Sequence, residues 1–281
     1  MNETLKRTLS GTVYIILLIA SLSYSQRSFF LLFGIFLIIA TIEFCNLVNL
    51  QKIIPVIFSI AFYGSVAYLV LAKIPSSRNF DLSILAAALL VSTKCLFLLY
   101  SKRLYIMDKA SKHIFMFGYI VLPFVLLTKI PIGINGYNPK IIISIFILIW
   151  TNDTFAYIVG KSIGKHKLFE SISPKKTIEG FLGGVFFATI AGYFISKYYF
   201  DPKENYLTKS ILIWTITAFI VGIFGTIGDL VQSKFKRLAN VKDSGKIMPG
   251  HGGILDRLDS VIFVAPFVYL FYQILNYVTL P

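Results

Sequence analysis

The sequence predicts an all-α, polytopic transmembrane helical bundle of about nine spans with its N-terminus in the cytoplasm. Three observations predict it. Of 281 residues, 56% are hydrophobic and 14% charged, and mean hydropathy is +0.76, whereas a soluble domain carries about 25% charged residues. The apolar residues fall into separate runs, each near the roughly 20 residues that cross a bilayer as a helix. Lysine and arginine fill the loops unevenly. Together these features exclude an ordinary soluble enzyme, a disordered tail, a coiled coil and a disulfide scaffold. No run alternates at period two, which excludes a β-barrel.

Taken in order, the expected spans are Gly11–Ser25, Ser28–Val48, Ile53–Ala72, Leu82–Tyr100, Ile114–Thr128, Ile141–Gly160, Gly180–Tyr199, Ser210–Gly228 and Ser260–Leu280. The first follows Lys6 and Arg7 and has the outline of a signal peptide, but a second span begins at Ser28, so a first span is the better reading. With the N-terminus inside, 18 Lys and Arg face the cytoplasm and 8 the other side, with Lys94 alone inside a span; this obeys the positive-inside rule. The plain N-terminus, without a transit signature, fits the inner (cytoplasmic) membrane of a bacterium. Cys45 and Cys95 sit in apolar runs and read as small buried hydrophobes.

Residues 1–140 read as an N-terminal transmembrane scaffold and residues 141–281 as the region that carries chemistry. In the scaffold, Glu43 and Lys94 are intramembrane charges, costly unless they face a cavity or partner; both lie near the cytoplasmic half of their spans and read as snorkelling to the interface. The net charge of +14 does not point to nucleic acid, because the basic residues occupy short loops between spans; anionic lipid head groups or a phosphorylated substrate are the better partners.

Three segments of the second half concentrate polar residues. Asn152 and Asp153 interrupt the sixth span and require either an interhelical hydrogen bond with a basic partner for Asp153, or a water-filled cleft. Then comes Ser173-Pro174-Lys175-Lys176-Thr177-Ile178-Glu179-Gly180, in which Ser173 is expected to cap a helix and Pro174 to occupy its first position, making an anion site of free amides and two lysines. His166, among lysines, reads as a solvated loop residue. In the third segment, Asp229 is expected at the cytoplasmic end of the eighth span, followed by Ser233, Lys236, Arg237, Lys242, Asp243, the Pro249-Gly250-His251-Gly252-Gly253 turn, Asp256, Arg257 and Asp259. Carboxylates suit a hard cation such as Mg²⁺, lysine and arginine neutralise phosphoryl oxygens, and glycines let amides approach an anion. The combination points to metal-assisted phosphoryl or nucleotidyl chemistry. Walker A and GxGxxG loops are absent, as is a zinc ligand set. Asp243 reads slightly better as a salt-bridge partner of Lys242 or Lys246 than as a ligand, and Asp259 as the N-cap of the ninth span.

The run Ser233-x2-Lys236-Arg237-x4-Lys242-Asp243-x-Gly245-x3-Pro249-x-His251-Gly252-Gly253-x2-Asp256-Arg257-x-Asp259 resembles the signature of the phosphatidate cytidylyltransferase (CDP-diglyceride synthase) family, with about thirteen specified positions in 27 residues. Met248 stands where the pattern more often has Leu, Ile or Phe. The Asn152-Asp153 span, the Ser173–Gly180 segment and the Gly228-Asp229 step are also similar; the first 140 residues match only as a multi-span region. The resemblance implies a membrane enzyme, active on the cytoplasmic face, that joins CTP and phosphatidic acid into CDP-diacylglycerol and releases pyrophosphate. It implies a homodimer, and Mg²⁺ on Asp229 and Asp256 with K⁺ as a possible companion. Under it, Lys176, Lys236, Arg237, Lys242 and Arg257 spread charge over the substrates, and His251 donates to a phosphate oxygen. Asp153, Ser173, Lys175, Gly252 and Gly253 complete the expected binding set. The competing reading is an ion-coupled transporter using Asp153, Lys94 and Glu43; against it, no internal repeat is evident and the polar residues cluster on one face. A closer rival is an enzyme in which CTP activates a different lipid phosphate.

Overall fold

A computed structural model of the chain describes residues 3–101, 107–133, 136–200 and 204–279. Lys102, Arg103 and Lys203, counted above among loop charges, and Leu280, the expected end of the last span, lie outside them. Among the described residues, nine helical stretches are long and apolar enough to cross a membrane. They are α1 (Glu3–Tyr24), α2 (Gln26–Leu47), α3 (Ile53–Leu71), α4 (Arg78–Tyr100), a fifth span made of α5 (Lys109–Phe115) and α6 (Leu122–Lys129), α7 (Pro139–Ile163), α8 (Ile178–Phe194), α9 (Glu204–Leu238) and α10 (Leu255–Thr279). A π-helical turn, Met116–Val121, joins α5 to α6, and another, Ile195–Tyr199, extends α8. Two small antiparallel hairpins interrupt the helices. One is β1 (Ile132–Gly133) with β2 (Gly136–Tyr137); the other is β3 (Lys167–Phe169) with β4 (Ser173–Thr177).

The expected span centres hold, and several ends move. Hydropathy marks the run that lipid must solvate, but a helix continues while its backbone finds donors and acceptors. Thus α1 begins well before Gly11, and the fifth span begins before Ile114, where Asp108 accepts from the Ser111 amide (3.2 Å). Asp229 does not end the eighth span: α9 continues through Leu238. Asp259 is no N-cap, because α10 already starts at Leu255, placing Asp256 in its first turn.

The Ser173 cap is also corrected. Ser173–Thr177 is strand β4, and the helix starts at Ile178 with Thr177 as its N-cap, Oγ1 accepting from the Gly180 amide (3.1 Å). The strand is favoured because pairing with β3 satisfies backbone groups that a helix start would leave open. Glu179 then folds back over the hairpin, accepting from the amides of Lys165 (3.0 Å) and His166 (3.2 Å) and lying 2.6 Å from His166 Nδ1. His166 is exposed, yet fastened.

Aromatic side chains fill the interior, with Phe29, Phe33, Phe44, Tyr119, Phe124, Phe235 and Phe263 almost fully buried. The second, fifth and last spans are the most enclosed and α1 the least. Cys45 and Cys95 are buried and unpaired, and Lys94 is exposed on α4. On the other side of the core, α7, α8 and α9 approach closely. A Cβ on Gly180 would lie 2.6 Å from the Ala156 carbonyl oxygen and 3.0 Å from the Gly160 Cα. Small residues allow such contact, which drives helix association where lipid offers no hydrophobic contrast.

Contacts between helix ends define two poles. At one, the start of α1 meets the segment before α10, and the ends of α2, α7 and α9 meet the starts of α8 and α10. At the other, Lys129 pairs with Asp81 (2.5 Å), Tyr137 donates to the Leu22 carbonyl (2.9 Å) and Lys140 to that of Tyr199 (2.9 Å). Gly180→Leu is expected to destabilise the bundle by about 2 kcal/mol or more, the cost of overpacking a tight contact. A lowered melting temperature in detergent, or loss of monodisperse protein, would show it; an unchanged melt would contradict the packing.

Candidate functional site

At the first pole, the long α9 places Asp229, Ser233 and Lys236 along one side, because residues four and three apart share a helix face. The Asp229 carboxylate pairs with Lys176 Nζ (2.6 Å), which β4 brings across from the neighbouring helix pair, and accepts from Ser233 Oγ (3.2 Å). Lys236 Nζ reaches Asp256 Oδ1 (2.8 Å), while Asp256 Oδ2 accepts from the amides of Ser244 (2.8 Å) and Gly253 (3.0 Å). Asn152 donates to Thr226 Oγ1 (3.2 Å), a bond between α7 and α9. The same amide reaches Asp153 Oδ1 (3.3 Å), and Asp153 is otherwise exposed.

Two cavities meet at Asp153. The larger, about 580 Å³, is lined by Lys161, Lys175, Lys176, Asp229 and Thr226 as well as Asp153. The smaller, about 210 Å³, adds Tyr14, Trp150, His251, Arg257 and Asp259 to it. Three lysines against two aspartates give the larger cavity a surplus of positive charge. A bigger space of about 840 Å³ opens at the opposite pole, but its lining holds only Lys73, Lys129 and Asp81 as charges. The surplus is one cation in either space; what marks the first pole as the candidate site is the density of ionisable groups, three lysines, Arg257 and four aspartates around two adjoining cavities.

The structure brings Asp153, Lys175, Lys176, Asp229, Asp256, His251 and Arg257 to the two cavities. It does not bring Ser173, Lys236, Arg237, Lys242, Gly252 or Gly253 to their walls. Arg237 instead donates to the carbonyls of Ile172 (3.3 Å) and Val241 (3.4 Å), tying the β3–β4 hairpin to the loop after α9. Lys242 is exposed. Among the described residues, no ion pair joins Asp243 to Lys242 or Lys246.

Three contributors were not legible as such: Lys161 on the wall of the larger cavity, Glu43 and Ser10. Glu43 does not snorkel: it is 3% exposed and accepts from Ser244 Oγ (3.0 Å) and from the amides of Ile254 (3.1 Å) and Leu255 (2.8 Å). A carboxylate in an otherwise apolar span was the available signal. Ser10, on α1, donates to the Pro249 carbonyl (2.9 Å) and lies 2.7 Å from His251 Nδ1; nothing in its sequence context marks it. The glycines serve this arrangement. Gly250 and Gly252 adopt φ of +77° and +84°, a region unfavourable to side chains, and a Cβ on Gly245 or Gly253 would overlap the Glu43 carboxylate.

Carboxylates that face ammonium groups, beside a lysine-lined cavity, suit a polyphosphate and a hard cation. A family model described as the cytidylyltransferase family matches residues 5–275. The chain belongs to that family. Among relatives, the phosphatidate cytidylyltransferase of Staphylococcus aureus (strain COL) is 50% identical over 123 residues, covering 43% of this chain and 44% of that protein. That of Bacillus subtilis (strain 168) is 45% identical over 137 residues, 49% of each. The match thus spans less than half the length of these cytidylyltransferases.

His251 lies outside the spans. Its partial burial and the cations Arg257 and Arg7 hold its pKa below the usual 6.5, so the imidazole is neutral at pH 7. With Ser10 donating to Pro249, Nδ1 carries the hydrogen and Nε2 accepts; with Ser10 turned to Nδ1, Nε2–H donates. The unfolded chain takes up this proton first, so the contribution to stability is full above about pH 6.5 and falls as the pH drops toward the lower folded value. His251→Gln is therefore expected to show a shallower decline in melting temperature between pH 7 and 5 than the parent chain. An equal decline would contradict the depressed pKa.

Proposed function

We propose that the chain transfers a cytidylyl group from CTP to phosphatidic acid, giving CDP-diacylglycerol and pyrophosphate at the cytoplasmic face of the membrane. The observation that carries this reading is the Lys176–Asp229 pair set in a cavity with Lys161 and Lys175, in a chain of this family whose relatives bear that activity in their names. The excess of basic residues at the same pole supports an N-terminus and active site on the cytoplasmic side. Residues 141–281 supply the cavity charges, with residues 1–140 bracing them. A homodimer follows from the family resemblance.

In the proposed reaction, a phosphate oxygen of phosphatidic acid attacks the α-phosphorus of CTP in line; a new P–O bond forms as the bond to the β-phosphate oxygen breaks, and pyrophosphate leaves. The lipid phosphate is already an anionic nucleophile, so no covalent protein intermediate is required. The barrier is repulsion between two polyanions. Lys161, Lys175 and Lys176 neutralise phosphoryl charge in the larger cavity, and Arg257 and neutral His251 present donors to the smaller one. Lys236 holds Asp256 in place; Arg237 holds the loop. Asp229 and Asp256 would hold a resident Mg²⁺ by their chemistry: each is an oxygen ligand that retains acceptor lone pairs beyond those its lysine takes, and Mg²⁺ commonly takes one or two carboxylates plus substrate phosphates. When bound, the ion supplies charge stabilisation to the phosphoryl oxygens, and K⁺ is a possible companion.

Glu43 is committed to the loop before α10 and Lys94 stands exposed, so neither extends Asp153 into a transmembrane path. The decisive assay combines purified protein, labelled CTP and several lipid phosphates, with products separated chromatographically. Label is expected in CDP-diacylglycerol, and label in no lipid would sink the reading. Asp229→Ala and Asp256→Ala, in protein that inserts normally, are each expected to lower Mg²⁺-dependent turnover on the order of a hundredfold or more; near-normal turnover in both would remove the metal assignment. Lys176→Ala is expected to raise KM for CTP or phosphatidate, and unchanged kinetics would take it out of the site.

A further inference from the structure

A carboxylate buried in a membrane span has to be matched inside the protein. Glu43 is matched wholly by donors of one short segment. Its Oε1 accepts from the Ile254 amide, and its Oε2 from the Leu255 amide and the Ser244 hydroxyl. All three partners donate, so the side chain works purely as an acceptor at the N-terminus of α10, where the helix dipole favours negative charge. Ser244 is held twice, its hydroxyl by Glu43 and its amide by Asp256 Oδ2. Gly253, whose amide donates to that same Asp256 oxygen, packs against Glu43 with no room for a side chain. The carboxylates of Glu43 and Asp256 therefore grip one loop from two sides, and the turn bearing His251 lies between their attachment points.

From this geometry we infer that Glu43 is a positioning residue for the transfer reaction: from α2 it fixes the Ser244–Leu255 loop, and through it the orientation of Asp256 and the place of His251. The inference rests on the cytidylyl-transfer reading. Glu43 touches neither cavity; it acts through the loop. The size of the side chain is matched by the glycines at 245 and 253, and the charge by the three donors. An amide of the same shape keeps the fit but turns its NH₂ toward one donor at the Oε1 position or two at the Oε2 position, so at least one hydrogen bond is lost and the loop loosens without emptying its cage.

The test compares the full chain with Glu43→Gln in detergent, measuring melting temperature, CTP binding by equilibrium dialysis with MgCl₂, and steady-state kinetics with phosphatidate. Glu43→Gln is expected to melt within a few degrees of the parent chain and to bind CTP within about threefold, while kcat falls at least tenfold. Wild-type kcat, or a parallel loss of folding, binding and turnover, would overturn the positioning role. Ser244→Ala removes one donor and leaves α2 untouched. It is expected to show the same split at smaller size, several-fold in kcat, and an unchanged kcat there would overturn the inference even where Glu43→Gln does not accumulate. The parent chain in the same assay separates the two claims: no product from it refutes cytidylyl transfer itself, and product from parent and variants at equal rates refutes only the role of Glu43.

Discussion

Carboxylates within membrane-spanning helices must be satisfied by the protein, and in this chain that requirement organises one whole pole of the bundle. Glu43 on α2 and Asp256 on α10 take their donors from the loop between α9 and α10, and Asp229 on α9 takes Lys176 from strand β4. Glu43 and Asp229 thereby join elements distant in sequence, while Asp256 ties α10 to the loop and helix just before it. An unpaired charge at the buried Glu43 or Asp256 would carry a desolvation cost of several kcal/mol, so the loop between α9 and α10 cannot drift independently of the helices. The same contacts that satisfy buried charge hold the polar groups around Asp153 in register.

The loop rich in glycine illustrates how this changes a chemical reading. Amides freed by small residues are natural ligands for a phosphate, and the pattern around His251 invites that assignment. In the folded chain, the amides of Ser244, Gly253, Ile254 and Leu255 point instead at the protein's own carboxylates. Lysines from the other side, on α7 and β4, supply the cationic wall of the larger cavity. These amides are framework, and under the proposed reading it is the hairpin side that faces the lipid and nucleotide charges.

The span positions were legible because hydropathy over about 20 residues is a direct record of contact with lipid, and the clustering at the candidate site was legible in part because its acidic and basic residues occur at specific spacings near the ends of spans. What escaped has a common physical origin. Where a helix stops depends on which backbone groups find partners, and those partners come from elsewhere in the fold: hence α9 runs past Asp229, and Ser173 pairs in a hairpin when its local sequence reads as a cap. The commitment of Glu43 was hidden for the same reason, since its three donors lie about two hundred positions away in the chain. Ser10 shows the limit most plainly, being an ordinary serine whose importance comes only from the closeness of Pro249 and His251.

The continuity of α9 has one more consequence. From Asp229 to Lys236 the chain is unbroken helix, so the acidic group that meets Lys176 and the basic group that meets Asp256 are separated by a fixed rise of about 10 Å and nearly two full turns. The helix behaves as a ruler. A single inserted or deleted residue between these positions would swing everything beyond it by about 100° around the axis, parting Lys236 from Asp256 while leaving Asp229 in place. Over this interval, evolution of the chain can exchange side chains far more easily than it can change length.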